Sequence, residues 1–503
     1  MSSDDNVKRS ADAAVSGGPL AGGHHGDVLA LPELESFRDP ETKGAKAHYD
    51  DADIYRDEKG FNDHTLRPMF FTTKKYFAFT LVLGAIMAQG FVAFLNQTYW
   101  GLGMAGLHEP VYWGAYIATF VFWVGLSHSG TIVSSILRLT GANWRRPILR
   151  AAEAMTAFSL LVAALFPLIH VGRLWRAYYM VPLPSQRMLW PNFKSPLMWD
   201  FCAINVYLTG SMTFLYIGLL PDLAVARDRA IAMGNWRRHY LKVLALGWRG
   251  SHREWSVYNK CSLFLAVIIL LIAPSVHTIV SWDFAMTMTP GWHTTIFGPY
   301  FVVGAIYSGV SAVVTLMIVL RVLFNLGDVI RKFHIDALGK LLLVISIIWS
   351  YFYFCEFITT WYSHKPEEWE IFEWQAHRFP YHLWVMLGGS CLTIFCLSWR
   401  RFRACMPCMF ALTLLVNCGM YIERYMIVVP ILSRRDNPFM WTDYYPSLTE
   451  LSIIVASFAY FIFLYAIFIK LFPIVTMADV KEGVVVSGDV RLGKHAVRVQ
   501  VKE

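Results

Sequence analysis

Charge is what this 503-residue chain has least of: Asp, Glu, Lys and Arg together make up 16% of it, against 56% hydrophobic residues. Its mean hydropathy is +0.42. A soluble domain carries about a quarter charged residues, so a single water-facing globule is excluded. Cysteine is sparse and scattered, with eight in all. No CxxCH occurs, which excludes covalently attached c-type haem. Cys405 and Cys408 form one CxxC (CMPC) with no second pair beside it. They are expected as reduced thiols at a helix start, a labile metal or redox role being the lesser alternative. Nucleic-acid motifs are lacking too, because the net charge of +8 comes from Lys and Arg spread through short loops between apolar runs. Residues 1–72 lack the apolar core of a secretory leader. They are polar, Gly-rich and acidic in patches, and are expected to form a cytoplasmic tail in which His24 and His25 are solvated.

What the chain does have is long apolar runs. Ten are long enough to cross about 30 Å of hydrocarbon at about 1.5 Å per residue. They lie near 76–98, 110–137, 148–172, 199–220, 257–281, 298–323, 339–362, 380–399, 406–428 and 448–472. In lipid each must be a helix, since a lone segment has no other way to satisfy its backbone. Lys and Arg crowd the loops after runs 2, 4, 6 and 8, where Arg138, Arg145, Arg146 and Arg150 make up the first group. The alternate loops carry fewer, including Arg173, Arg176, Arg187 and Lys194 after run 3. The positive-inside rule then puts both termini in the cytoplasm. Runs 2 and 6 open alike, on Gly114-Ala115-Tyr116 and Gly298-Pro299-Tyr300, and end on Arg138 and Arg321. The expected fold is therefore an all-α integral membrane protein: two parallel four-helix bundles, runs 2–5 and 6–9, flanked by runs 1 and 10. The chain divides into the tail (1–72), a first span with its loop (73–109), the two bundles (110–297 and 298–429), a last span (430–472) and a C-terminal cytoplasmic tail (473–503).

An ionisable side chain inside a membrane helix costs several kcal/mol unless paired or hydrated, so each is a functional candidate. His170, Asp200, His277 and Asp283 are expected at one level near the outer face, delivered by runs 3, 4 and 5. Such a set suits proton-coupled chemistry on a lipid-soluble diol such as a quinol, whose oxidation releases two protons. An imidazole can take one and a carboxylate the other. Phe166, Arg173, Trp199 and Phe201 could seat the ring, while simple capping of helix ends is the competing explanation. Deeper, His128 is expected about 25 Å into run 2, with Ser127, Ser129, Thr131, Ser134, Ser135 and Glu153 nearby as a proton path or as interhelical glue. In the second bundle Glu356, His382, Glu423 and Arg424 divide between structural pairing and proton conduction. Glu423 and Arg424 could neutralise each other, but adjacent residues point about 100° apart on a helix, so each is expected to need a partner on another helix, with Glu356 one option for Arg424. Two other functions are weighed: a haem-b anchor, with His170 and His277 as axial ligands, and a secondary transporter built on broken helices.

The stretch GLSHSGTIVSSILRLTGANWRRPILRAAEAMTAFSLLVAALFPLIHVGR, followed by PLMWDF, resembles the NrfD/polysulfide-reductase membrane subunits. Within that family it is most similar to the ActC subunits of bacterial alternative complex III, and the long polar N-terminus suits ActC better than its sister ActF. The resemblance covers about residues 70–475. It implies two four-helix bundles with no haem or metal of their own, and a quinol (menaquinol or ubiquinol) near the periplasmic end of the first bundle. His170, Asp200 and Asp283 match the family's quinol-site histidine and aspartates. The implied partners are a periplasmic iron–sulfur subunit, multihaem and monohaem cytochrome c subunits, a second NrfD-like subunit and small membrane subunits, in a bacterial cytoplasmic membrane. Proton translocation through His128, Ser129, Glu153, Glu356, His382, Glu423 and Arg424 is carried over as a hypothesis.

Overall fold

In a computed structural model of the chain, residues 58–180, 196–327, 329–434, 438–482, 485–492 and 495–502 are described, apart from a few side chains that include that of Ser129. His24, His25, Arg187, Lys194 and most of the polar tail lie outside them. All ten apolar runs are helices: α1 Lys74–Trp100, α2 Ala115–Leu139, α3 Leu149–His170, α4 Met198–Ala232, α5 His252–Ala285, α6 Phe297–Leu323, α7 Lys332–Ser363, α8 Pro380–Ser398, α9 Met406–Ser433 and α10 Leu448–Leu471. Several run past the apolar windows, because their polar first or last turns continue the helix beyond the hydrocarbon. The chain is a multi-pass integral membrane protein.

The packing is that of two bundles. In the first, α2 packs on α3 and α5, α3 on α4, and α4 on α5. In the second, α6 packs on α7 and α9, α7 on α8, and α8 on α9. The bundles meet where α2 and α5 touch α6 and where α2 touches α9, while α1 pairs with α10. Without a hydrophobic drive between helices in lipid, small residues set the close approaches. A Cβ on Gly130 would overlap the Ala152 carbonyl and Thr156 of α3, and Gly125 lies against Ala305 of α6.

One span, α3, is irregular near its end. Between Leu149–Ala163 and Leu165–His170, Ala164 keeps helical φ and ψ (−61° and −18°) and bonds the Leu160 carbonyl, but the regular ladder is interrupted there. Pro167 accounts for this, since it lacks an N–H and its ring crowds the preceding turn. The corresponding helix of the second bundle, α7, is continuous. The transporter reading therefore lacks a matched pair of broken helices among the described residues.

Smaller elements complete the chain. A helix at Glu58–Phe70 packs on α10 and buries Leu66 and Met69, so the end of the polar tail is folded. A helix at Pro366–Arg378 joins α7 to α8. Past the last span, β1 (Val485–Leu492) pairs antiparallel with β2 (His495–Lys502), with Val485 opposite Lys502. The alternating Val residues there have strand periodicity, which the tail assignment overlooked. Cys405 and Cys408 form a disulfide, which corrects the expectation of two reduced thiols.

Candidate quinone site in the first bundle

Below, the arginine-rich end is the one carrying Arg138, Arg145 and Arg146, and the arginine-poor end is the opposite one. At the poor end Asp200 lies in the first turn of α4 and Asp283 in the last turn of α5. Both are buried, and their carboxyl groups lie within hydrogen-bonding reach of each other. Neither is paired with a cation among the described residues, and each keeps a buried Oδ1 without a protein partner. Two facing carboxyls can share a hydrogen bond only when one of them carries a proton. The preceding residues, Trp199 and Trp282, pack edge to face with centroids 6.1 Å apart.

His170 ends α3, and its Nδ1 is buried without a partner among the described residues. No hydrogen bond joins it to either carboxyl among the described residues. Gln97 holds this helix end in place. Its Nε2 donates to the Ile169 carbonyl at 2.8 Å, and its Oε1 accepts from Tyr116 Oη at 2.6 Å. Gln97 is fully buried on a helix that otherwise faces mostly outward. Phe166 is fully buried, with its ring centroid 6.5 Å from that of Tyr116. Arg173 is exposed and lies over the Trp175 ring at 5.7 Å.

His277 is not level with Asp283. Helix α5 continues through Ala285, which sets His277 six residues, or about 9 Å, deeper. There it meets His128, which lies about 20 Å along α2 because that helix begins at Ala115. The two rings are 4.7 Å apart. His128 Nδ1 is 2.5 Å from the Val124 carbonyl, while among the described residues its Nε2 and both His277 nitrogens are buried without a well-formed hydrogen bond, near the Ala273 and Phe301 backbone. The two imidazoles pack with their planes tilted by 56°.

Below the imidazoles runs a hydroxyl-rich seam. Tyr207 packs on His128 and its Oη is 2.7 Å from Thr131 Oγ1. Ser134 donates to Glu153 at 2.7 Å. Arg150 is no loop cation: it is buried in α3 and pairs with Asp222 of α4 at 2.9 Å. Asp222 also accepts from the Ala478 amide at 3.0 Å.

In the second bundle Arg424 turns back on its neighbour Glu423, with Nε to Oε2 at 3.2 Å. Its guanidinium lies 4.6 Å above the Phe301 ring, and that ring is 5.8 Å from His277. Glu356 accepts from Thr294 at 3.1 Å instead of meeting Arg424. His382 stacks on Tyr425 at 5.8 Å. A cavity of about 60 Å³, lined by Tyr300, Tyr353, Glu356 and Glu423 among others, separates these carboxyls. A larger opening of about 550 Å³ at the poor end, lined by Tyr112, Trp113, Met288 and Trp292, does not include His170, Asp200 or Asp283.

Sequence reasoning missed Gln97, Tyr207, Asp222 and Glu450. Glu450 is buried, caps the start of α10, and accepts from the Gly106 amide at 2.7 Å and Tyr444 Oη at 2.6 Å. Burial and that carboxylate push the Tyr444 phenol well above its ordinary range, so it stays a donor. An S-x-x-E capping box before an apolar run was the available signal for Glu450.

Among known proteins, the family model of NrfD, polysulphide reductase, matches residues 103–433, a stretch that contains α2 to α9 whole. A putative membrane subunit of dimethyl sulfoxide reductase from Halobacterium salinarum is 28% identical over 269 residues, covering 52% of this chain and 55% of that protein. The chain thus spans about half the length of that relative. The Hdr-like menaquinol oxidoreductase integral membrane subunit of Archaeoglobus fulgidus is 28% identical over 132 residues, 26% of this chain and 33% of that one. A selenate reductase subunit of Mesobacillus selenatarsenatis is 22% identical over 422 residues, 80% of this chain and 94% of that one.

Proposed function

The chain belongs to the NrfD, polysulphide reductase, family, and from that premise we propose that it is the quinol-oxidising membrane subunit of a respiratory or photosynthetic electron-transfer complex. The observation that carries the reading is the Asp200–Asp283 pair, two buried carboxyls with no counter-cation among the described residues, at the arginine-poor end of the first bundle. Keeping such a pair is expensive and gives the fold nothing that an ion pair would not give better. A relative named as a menaquinol oxidoreductase subunit supports the choice of substrate.

In this reading one quinol hydroxyl donates a hydrogen bond to His170 and the other to the aspartate pair. As two electrons leave for an iron–sulfur partner on the arginine-poor side, the two protons pass to the imidazole and the carboxylate. The complex is of the alternative complex III type, with cytochrome c subunits as further acceptors. It lies in the bacterial cytoplasmic membrane, with both termini and the arginine-rich end in the cytoplasm. The His128–His277 pair and the Glu153 seam belong to a path that helps move protons.

The test replaces Asp200 with Asn and, separately, His170 with Ala in the assembled complex. Quinol-dependent turnover is expected to fall about a hundredfold, with the subunit retained in the complex. Unchanged turnover in both variants overturns the assignment.

A further inference from the structure

The turn between α8 and α9 carries a chemistry that quinol oxidation does not use. Cys405 is the N-cap residue of α9 and makes no side-chain capping bond, Pro407 lies in the first turn, and Cys408 is the third residue of the helix. Their Cα atoms are 5.3 Å apart and their sulfurs are bonded. The first N–H groups of this 28-residue helix have no partners within it. They and the helix dipole favour negative charge on a sulfur at the N-cap. Arg400 and Arg401, exposed on the same turn, add positive potential. Both cysteines are half-buried, so a partner sulfur can reach them.

A purely structural role is poorly served by this pair. A disulfide across two intervening residues removes little chain entropy, since the gain grows with loop length. The turn is already fixed to α7 by other means: Arg403 is buried, bonds the Leu397 carbonyl, and pairs with Asp336 at 2.8 Å. Lys340 meets the same carboxylate at 3.1 Å. The remaining six cysteines form no second pair among the described residues. The pair also sits at the arginine-rich end, which the proposed function places in a compartment that does not maintain structural disulfides.

We propose that Cys405 and Cys408 are a redox-active couple that exchanges with a soluble dithiol or its disulfide at the arginine-rich face. In the oxidising direction the Cys405 thiolate attacks one sulfur of the incoming disulfide. That S–S bond breaks, and one partner sulfur leaves as a thiolate and takes a proton. Cys408 then gives up its proton and attacks the Cys405 sulfur, which releases the second partner thiol. Two cysteines have lost two electrons, and the partner disulfide has gained two electrons and two protons. The reverse sequence reduces the pair.

The test uses the full chain in its complex, in inverted membrane vesicles equilibrated with buffers of reduced and oxidised dithiothreitol. Thiols are trapped with acid and then labelled with a maleimide-coupled polyethylene glycol. The wild-type chain is expected to change by two labels in one step across the buffer series. The C405S/C408S double variant stays at a constant baseline set by its other cysteines. The C408S variant, given oxidised glutathione, is expected to hold glutathione as a mixed disulfide on Cys405. Thermal unfolding of the complex should be the same in reduced and oxidised buffers. A wild-type label count that does not change across the series, or a pair that reacts only after denaturation, overturns the proposal. A change of two labels with no loss of quinol turnover leaves the quinol-site reading independent of this one.

Discussion

At the arginine-rich end the two bundles are built alike. Arg150 pairs with Asp222 between α3 and α4, and Arg403 pairs with Asp336 between the α8–α9 turn and α7. At mid-depth they diverge. The second bundle holds Arg424 against Glu423, a charge and its counter-charge. The first holds two imidazoles, His128 and His277, with three buried nitrogens that make no well-formed hydrogen bond among the described residues. At the arginine-poor end the contrast widens: Glu356 has the Thr294 hydroxyl, whereas Asp200 and Asp283 have each other. Neutralised groups hold helices together. Groups left without a counter-charge are a cost to the fold, and that cost is concentrated in the first bundle.

The largest effect is expected from breaking a neutralised pair. Asp222→Ala takes from buried Arg150 its carboxylate partner at 2.9 Å and leaves it the Gly218 carbonyl at 2.6 Å and the neighbouring Glu153 carboxyl. Removing one member of a buried pair costs about 3–5 kcal/mol. The variant should lower the thermal midpoint of the purified complex sharply or fail to assemble. Replacing both members with apolar residues of similar size should recover most of the loss. If the bundles are alike at this end, Asp336→Ala behaves the same way.

Asp200→Asn gives the opposite signature. It removes one of two facing carboxyls, so the thermal midpoint is expected to hold or rise while quinol turnover falls about a hundredfold. A midpoint that drops as it does for Asp222 would mean that the aspartate pair is structural, and the contrast between the bundles would collapse.

Gln97→Leu should have a smaller effect of a mixed kind. It strips a hydrogen bond from the Ile169 carbonyl and another from the Tyr116 hydroxyl, at about 1–3 kcal/mol for each buried group left unsatisfied. The loosened element is the end of α3 that carries His170. The expected outcome is a raised KM for quinol with a modest loss of stability, read from steady-state kinetics and thermal unfolding together.

The ten spans and two bundles were legible in the sequence, because hydropathy and the need to satisfy backbone groups leave few alternatives. Asp200 and Asp283 were legible as a level, since each stands at a helix end beside a Trp. Depth inside the bundles was not. His277 was placed too near the surface because α5 does not stop where its apolar window does. Arg150 looked like a loop cation because an apolar run does not reveal where its first turn is buried. Arg424 was expected to reach another helix, but a long side chain can fold back on its neighbour. Gln97 drew no attention at all, as a single amide on an apolar helix has no periodicity to betray it.

The finest test of the contrast between the bundles is His277→Phe. The imidazole is fully buried, and neither nitrogen makes a well-formed hydrogen bond among the described residues. A phenyl ring can keep the packing on His128 and Phe301. If His277 only fills space, its removal spares the desolvation of two polar atoms, and stability should hold or rise by about 1–3 kcal/mol. Turnover should then be unaffected. If the pair carries protons, stability should still hold, but turnover should fall by less than at Asp200, since quinol can still bind. The proton-path reading predicts this second result, measured as turnover beside the thermal midpoint. A fall in the midpoint would instead place the imidazole among the groups that hold the bundle together, as Arg424 and Glu423 do in the second bundle.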